Sequence, residues 1–350
     1  MNSSSIARTA RTALVVVAIS VLTSGCYLLQ AAGGQMALMS KRQPILRVIA
    51  SPSTQNDVRA QLQRVGSIRE FATRELHLPD NGSYRQYADI HRPYVVWNVI
   101  AAPEFSMQPV QWCFPIAGCV AYRGYFKEKR ALAFAQALRE RGLDVTTGGV
   151  AAYSTLRHFD DPVLNTMLGW SDVQLASIIF HELTHQLIYV PGDSTFNEAL
   201  ATLVEEEGVA RWLRSQGRDR ELAEYRDRQN RYTQVVALLI QGRTDLSALY
   251  MQPLDAATMR LRKQAYFDLL HERFNSLKAG WGGHAPYETW FSQPINNAHL
   301  ASVATYHRCV PGFARELRES GADMSRFYIR VRELTKMSVA DRQRRLCTEG

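Results

Sequence analysis

Residues 181–185 read His-Glu-Leu-Thr-His, two imidazoles four positions apart with a carboxylate beside the first. On an α-helix that spacing turns ~40°, so both rings face one way and can take two corners of a metal tetrahedron. Glu182 lies ~100° round from His181. From there it can reach a water activated by the metal without ligating the ion, which is the position of a general base for hydrolysis. A catalytic zinc site needs a third protein ligand and keeps one position open. Glu198, twelve residues beyond His185, is the candidate. His181, His185 and Glu198 are thus the expected ligands of one Zn2+ per chain, with Glu182 catalytic. The competing reading makes Glu198 the end of a Thr195-x-x-Glu capping box. Glu205, two helical turns further on, is either a rival ligand or an acceptor that orients a ligand imidazole. Asn197 is a second candidate for that supporting role, and Glu206 and Glu207 are expected to be solvated.

The elements that must hold these groups are legible. Ser171 or Asp172 can cap a helix running through Leu175, Ile178, Ile179, Leu183 and Leu187. The alternative, two surface histidines with a solvated Glu182, is weakened by so apolar a helix, where unpaired polar groups are costly. Pro191-Gly192 ends it, and Asp193, Ser194 or Thr195 caps the next helix, which carries Glu198. Upstream, residues 27–78 read as helical, with Leu62, Val65, Ile68 and Phe71 at helical spacing. Tyr94–Ile100 is rich in β-branched and aromatic residues and predicts a strand. Trp112–Phe114 and Cys119–Tyr122 predict a hairpin. Arg130–Arg141 is an amphipathic helix stopped by Gly142. Leu143–Val145 and Val150–Leu156 predict two strands around Gly148-Gly149. Beyond Asp160 nearly everything reads helical. The fold class is therefore α+β: a small N-terminal mixed sheet with helices in residues 26–160, then a mainly helical part, 161–350, carrying the metal helix.

Composition excludes several classes. The 350 residues are 46% apolar and 21% charged, with near-average glycine and proline, so the chain is neither disordered nor low-complexity. The net charge is +8, but lysine occurs only six times and arginine supplies the rest of the 41 basic residues. No basic stripe with interleaved aromatics occurs, so nucleic acid is not expected as a partner. Nor is there a Gly-x-Ser-x-Gly nucleophile elbow or a Walker-type phosphate loop.

The N-terminus carries the parts of a secretory signal. Arg8 and Arg11 precede the apolar run Ala13–Leu22, and small residues lead to Cys26. Ten residues rise about 15 Å as a helix, half a hydrocarbon core, so the run is too short to span a bilayer. Leu-Thr-Ser-Gly-Cys resembles the bacterial lipoprotein cleavage box, with Thr23 where an aliphatic residue is usual. On that reading residues 1–25 are a signal peptide, Cys26 takes the lipid, and the chain is expected in the bacterial envelope, anchored to the membrane and facing the periplasm; the alternatives are an ordinary signal cut nearby or an uncleaved anchor extended through Leu28-Leu29. Four cysteines remain in an oxidising compartment. Neighbourhood favours Cys113 with Cys119 and Cys309 with Cys347; four buried free thiols are the alternative.

His-Glu-Leu-Thr-His followed by Phe196-Asn-Glu-Ala-Leu-Ala-Thr-Leu-Val-Glu-Glu-Glu-Gly208 resembles the gluzincin metallopeptidases, in which an Asn-Glu-x-x-Ala helix supplies the third ligand. The aminopeptidase N family is similar at Asn197, Glu198, Ala201, Thr202, Val204 and Glu205. The present chain has a shorter spacer and lacks that family's Gly-Ala-Met-Glu-Asn strand. A broader resemblance is to a bacterial family of putative aminopeptidases, many of them predicted lipoproteins. It runs through Arg92–Asn98, Trp112–Pro115, Tyr122–Tyr125, Gly148–Ser154, Phe159–Pro162, Asn296-Asn297 and Tyr306.

The resemblance implies a zincin-like helical half and a peptide substrate, with aminopeptidase activity. It also implies a substrate-binding strand edge upstream of the metal helix, for which residues 148–156 are the candidate. A hydroxyl or imidazole from the C-terminal half should stabilise the oxyanion. Tyr306 is favoured, on a helix expected over 297–306, with His299, His307 and the loop residue His284 behind it. An acid for the substrate amine could be Glu104, Asp160, Asp161 or Glu205. The alternative function is a non-catalytic, metal-containing envelope lipoprotein that binds peptides or envelope partners; an intact Glu182 argues against it.

Overall fold

The computed structural model describes residues 27–114, 118–152, 155, 159–282, 285–303 and 309–347. Cys26, Tyr306, His307, His284 and part of the 148–156 segment lie outside the described residues.

Helix α1 (residues 27–39) leads into strand β1 (Arg42–Pro44), α2 (Ile45–Ala50) and α3 (Asn56–Arg74). The segment expected to be continuously helical is thus cut twice, where Pro44 and Pro52 cannot continue a helix. Strands β2 (Gln86–Ala88), β3 (Val96–Pro103), β4 (Trp112–Phe114), β5 (Gly118–Val120) and β6 (Arg123–Tyr125) follow, then α4 (Glu128–Arg139), β7 (Leu143–Val150) and β8 (Val163–Leu164). After these come α5 (Asp172–Leu187), α6 (Ser194–Ser215), α7 (Asp219–Tyr250), α8 (Ala256–Ala279), α9 (Glu288–Phe291), α10 (Asn297–Ser302), α11 (Val310–Glu319), α12 (Met324–Thr335) and α13 (Val339–Cys347). The class is α+β, with small sheets in the first half and helices in the second.

Three small sheets form, in the orders β1-β2-β8, β6-β3-β7 and β4-β5. Only β2 and β8 are parallel. The two strands expected around Gly148-Gly149 are one. β7 runs through both glycines because β3 pairs with it over eight residues, from Val96 opposite Val150 to Pro103 opposite Leu143. Helix α10 is shorter than expected, since Val303 leaves it in an extended conformation.

The largest apolar cluster joins α3 to α5, α6 and the C-terminal helices, with Leu62, Ile68, Phe180, Leu183, Phe313 and Phe327 fully buried. A second lies among α7, α8, α9 and α10, and a third under α4 and the β6-β3-β7 sheet. Helices α5 and α6 approach closely at Gly208, where an added methyl group would press on Phe180 and Leu76. Disulfides join Cys113 to Cys119 and Cys309 to Cys347, and the second ties the start of α11 to the end of α13.

That C-terminal bracket reaches the turn between α5 and α6. Arg342 on α13 donates to the Asp193 carboxylate from Nε at 2.9 Å, and both side chains are almost fully buried. Asp193 in turn caps α6 by accepting from the Phe196 N–H. Removing one partner of a buried pair strands the other charge, so Arg342→Ala should cost about 3–5 kcal/mol of unfolding free energy. Denaturant unfolding that matches the unaltered chain would contradict this pin.

Candidate metal centre and active site

Ser171 starts α5 with a complete capping box: its side chain accepts from the Gln174 N–H while the Gln174 side chain accepts from the Ser171 N–H. The buried face of α5, including Val173, Leu175, Ile179, Phe180 and Leu183, locks the helix in the main core. His181 and His185 lie along one side of it. The helix ends at Leu187, four residues before Pro191, and Gly192 makes the turn with φ at 81°. Asn197 clasps that turn from both sides: its Oδ1 accepts from the Val190 N–H and its Nδ2 donates to the Val190 carbonyl, each at 2.8 Å. Asn197 therefore holds the backbone of the connection rather than a ligand side chain.

The cap of α6 is Asp193, not Thr195, so Glu198 is not spent on a capping box. Its carboxylate faces both imidazoles. The His181 Nε2 atom lies 3.2 Å from Glu198 Oε2 and 3.2 Å from His185 Nε2, while His185 Nε2 lies 3.6 Å from Glu198 Oε1. Ligands about 2.0–2.1 Å from a tetrahedral zinc stand about 3.3 Å from one another, so the three donors are spaced as a metal would hold them. His181, His185 and Glu198 could therefore hold one metal ion.

Glu205 reaches the other nitrogen of the same ring, with its Oε2 at 3.1 Å from His181 Nδ1. A carboxylate there fixes the tautomer that leaves Nε2 free to bind and makes the imidazole a stronger donor. The Nδ1 atom of His185 is buried and has no hydrogen-bond partner among the described residues. The two carboxylates expected to be solvated are both half-buried. Burial, then the neighbouring Glu205 charge, pushes Glu206 up to about 7, and Glu207 accepts from Arg211 at 2.7 Å.

The protonation pattern is that of a cluster short of positive charge. Burial disfavours the His181 imidazolium, but hydrogen bonds to Glu198 and Glu205 outweigh it and carry the group to about 10. Burial would raise Glu198, but its bonds to the two histidines hold it at about 2. Glu182 is raised above the ordinary carboxylate range, first by burial and then by the charges of Glu198 and Asp161, against the pull of the two histidines. A raised carboxylate is a better proton acceptor near neutral pH than a solvated one.

His181, Glu182 and Glu205 are among the residues that line a cavity of about 640 Å³. Trp170, Ile178, Tyr225 and Tyr232 supply much of its wall. Two further tyrosines stand at the site without having been singled out for it by the sequence. The Tyr189 ring lies edge-on to His185 at 6.3 Å between centroids, and both Tyr122 and Tyr189 are raised by burial and by the Glu198 charge. The spacing 181–185–189 was the available signal for Tyr189. Tyr122 arrives from the loop between β5 and β6, which no local pattern links to α5.

The remaining candidates separate. His299 is engaged elsewhere: Nε2 is 3.0 Å from Thr146 Oγ1, and Nδ1 accepts from the Asn296 N–H within the capping box of α10. Burial lowers its pKa to about 4, so the ring is neutral. Glu104 is paired with Arg260 at 2.6 Å. Asp161 accepts from the backbone and hydroxyl of Thr155, and its charge is felt at Glu182. Among the described residues β7 is an edge strand, paired only with β3. Asn296 and Asn297 cover it at Val145 and Asp144, leaving Gly148 and Gly149 exposed.

A family model described as "Putative aminopeptidase" matches residues 26–346. The chain belongs to the putative aminopeptidase family. No curated protein and no solved structure matches it. Membership agrees with a peptide substrate, and the family name calls for an acid near the reacting centre to hold a free amine. Of the four acids considered, Glu205 is committed to His181 and Glu104 to Arg260, Asp161 acts electrostatically on Glu182, and Asp160 is exposed beside Gly82.

A metal must displace the proton that His181 holds below about pH 10. Metal affinity should therefore rise about tenfold per pH unit up to that point, and uptake at pH 7 should release about one proton. Calorimetry in buffers of different ionisation enthalpy counts it; uptake without proton release would refute the assignment of His181. His185→Ala should lose the metal by elemental analysis.

Proposed function

We propose that this chain is a single-zinc peptidase that hydrolyses peptide bonds, acting as an aminopeptidase in the bacterial envelope with a lipid on Cys26. The observation that carries the hydrolytic reading is the convergence of two imidazole Nε2 atoms and the Glu198 carboxylate within 3.6 Å, with His181 and the adjacent Glu182 both lining a cavity. Two nitrogens and one carboxylate oxygen, with room for a further ligand, are the donor set of catalytic zinc. When bound, zinc would polarise the scissile carbonyl and make water a nucleophile near neutral pH.

The residues of the chain supply the rest. Glu182 does not belong to the donor triangle and is free to take a proton from the attacking water and return it to the leaving amine. Its raised pKa suits it to hold that proton between the two steps. Glu205 holds the His181 ring in register throughout. Tyr122 and Tyr189, both of which feel the Glu198 charge, are the candidate donors to the developing oxyanion. The envelope assignment rests on the signal-like residues 8–26.

Glu182→Gln keeps the size and polarity of the side chain and removes its basicity. It should retain zinc and lower kcat by about 10²–10⁴-fold. Hydrolysis at the unaltered rate in a fully metallated Glu182→Gln chain would eliminate this mechanism. Mass spectrometry of a mixed peptide library treated with the zinc-loaded protein separates the modes of cleavage: ladders losing single N-terminal residues support the aminopeptidase reading, and internal fragments refute it.

A further inference from the structure

Helix α1 contains no charged residue: 27–40 read Tyr-Leu-Leu-Gln-Ala-Ala-Gly-Gly-Gln-Met-Ala-Leu-Met-Ser. One face of it is docked. The Tyr27 ring stacks on Phe114 at 4.9 Å, with the Arg123 guanidinium over it at 4.1 Å. Gln30 donates to the Gly124 carbonyl and accepts from the Phe126 N–H, and Gly34 sits so close to the Phe126 ring that no larger residue fits. Leu38 and Met39 are buried.

The opposite face is apolar and bare. Leu28, Ala32 and Met36 recur every four residues, with Leu29 and Gly33 beside them, and all are exposed. Leu29 is 74% and Met36 62% exposed, so these side chains are given to solvent rather than half-packed. A helix that binds one side to its own domain and shows water an uncharged side needs a second partner.

The flank of this face is cationic. A cavity of about 410 Å³ is lined by Gln30, Gly34 and Lys41 of the α1 segment and by Lys127 and Arg130 at the start of α4. Lys41, Lys127 and Arg130 are exposed and form no ion pair among the described residues. The run Lys127-Glu-Lys-Arg130 carries three cations to one acid. Apolar side chains bordered by cations match the boundary of an anionic bilayer, with acyl chains under the stripe and headgroup phosphates at its edge. No helix among the described residues is long and apolar enough to cross a membrane, and the contact considered for α1 is with the bilayer surface. The first described residue of α1 directly follows Cys26, where a lipid would enter the same leaflet.

We propose that the exposed face of α1, with the Lys41–Lys127–Arg130 recess beside it, is a docking surface for an anionic phospholipid bilayer that fixes how the folded chain sits on the membrane. This contact is separate from the hydrolytic site and from any acyl chain.

The chain from residue 26 with Cys26→Ser contains every described element and carries no lipid. It should co-sediment with vesicles of phosphatidylcholine plus phosphatidylglycerol, bind pure phosphatidylcholine vesicles less, and release with added salt. Leu29→Ser with Met36→Ser, or Lys127→Glu with Arg130→Glu, should each weaken binding about tenfold or more without moving the melting temperature. A second readout needs neither pair. Met36→Cys, labelled with an environment-sensitive fluorophore while the other four cysteines are paired, should shift to the blue on the anionic vesicles. Absence of binding to any vesicle, an unshifted label, or a sedimenting dimer that hides position 36 would each overturn the proposal.

Discussion

The site depends on one imidazole being held at both nitrogens by the same neighbouring helix. His181 meets Glu198 through Nε2 and Glu205 through Nδ1, and those two acids are two turns apart on α6. A ring so placed tolerates little sliding or rotation of α6 against α5. The remainder of the fold can be understood as the means of fixing that register. Gly208 permits close contact with Phe180, Asn197 locks the connecting turn, and Asp193 starts α6 at the residue that turns Glu198 inward.

The support extends well beyond the pair. Arg342 binds Asp193 from the last helix, and the Cys309–Cys347 disulfide closes that helix back on α11. On the other side Gln186, next to His185, bonds Asn81 and Ser83, and Arg69 donates to the Ser83 carbonyl. A polar network with its members satisfied resists displacement more than an apolar contact of the same area, because shifting it leaves buried groups unpaired. The chemistry occupies a short stretch of chain, but segments from residue 69 to residue 342 hold it still.

How much of this the sequence revealed follows from the range of each interaction. His181, Glu182 and His185 could be grouped because helical period is local, and Glu198 followed from the need for a third donor. The choice of Asp193 over Thr195 as cap could not be made, since both residues cap well and the deciding partner is Arg342, 149 positions away. The single strand through Gly148-Gly149 was hidden for a similar reason: its continuity comes from pairing with β3, which overrides the local break. Tyr122 and the cavity wall from α7 reach the site only through tertiary packing, so nothing near them in sequence marked them.

The charge balance at the site makes a final point about what it is built to hold. Glu182, Glu198 and Glu205 gather around two imidazoles, and among the described residues no lysine or arginine answers them in the hydrogen bonds of the His181–His185–Glu198–Glu205 cluster. The groups respond as a cluster lacking a cation must: His181 retains a proton to about 10, Glu182 rises, and Glu206 at its edge rises to about 7. Glu198 moves the other way because the proton it gives up stays on His181. Carboxylates packed for stability alone would be matched by arginine, as Glu316 is by Arg330 and Arg345 in the same molecule. Leaving this cluster unmatched costs folding free energy, and a divalent cation at the shared focus of three of its donors is the group that would recover it.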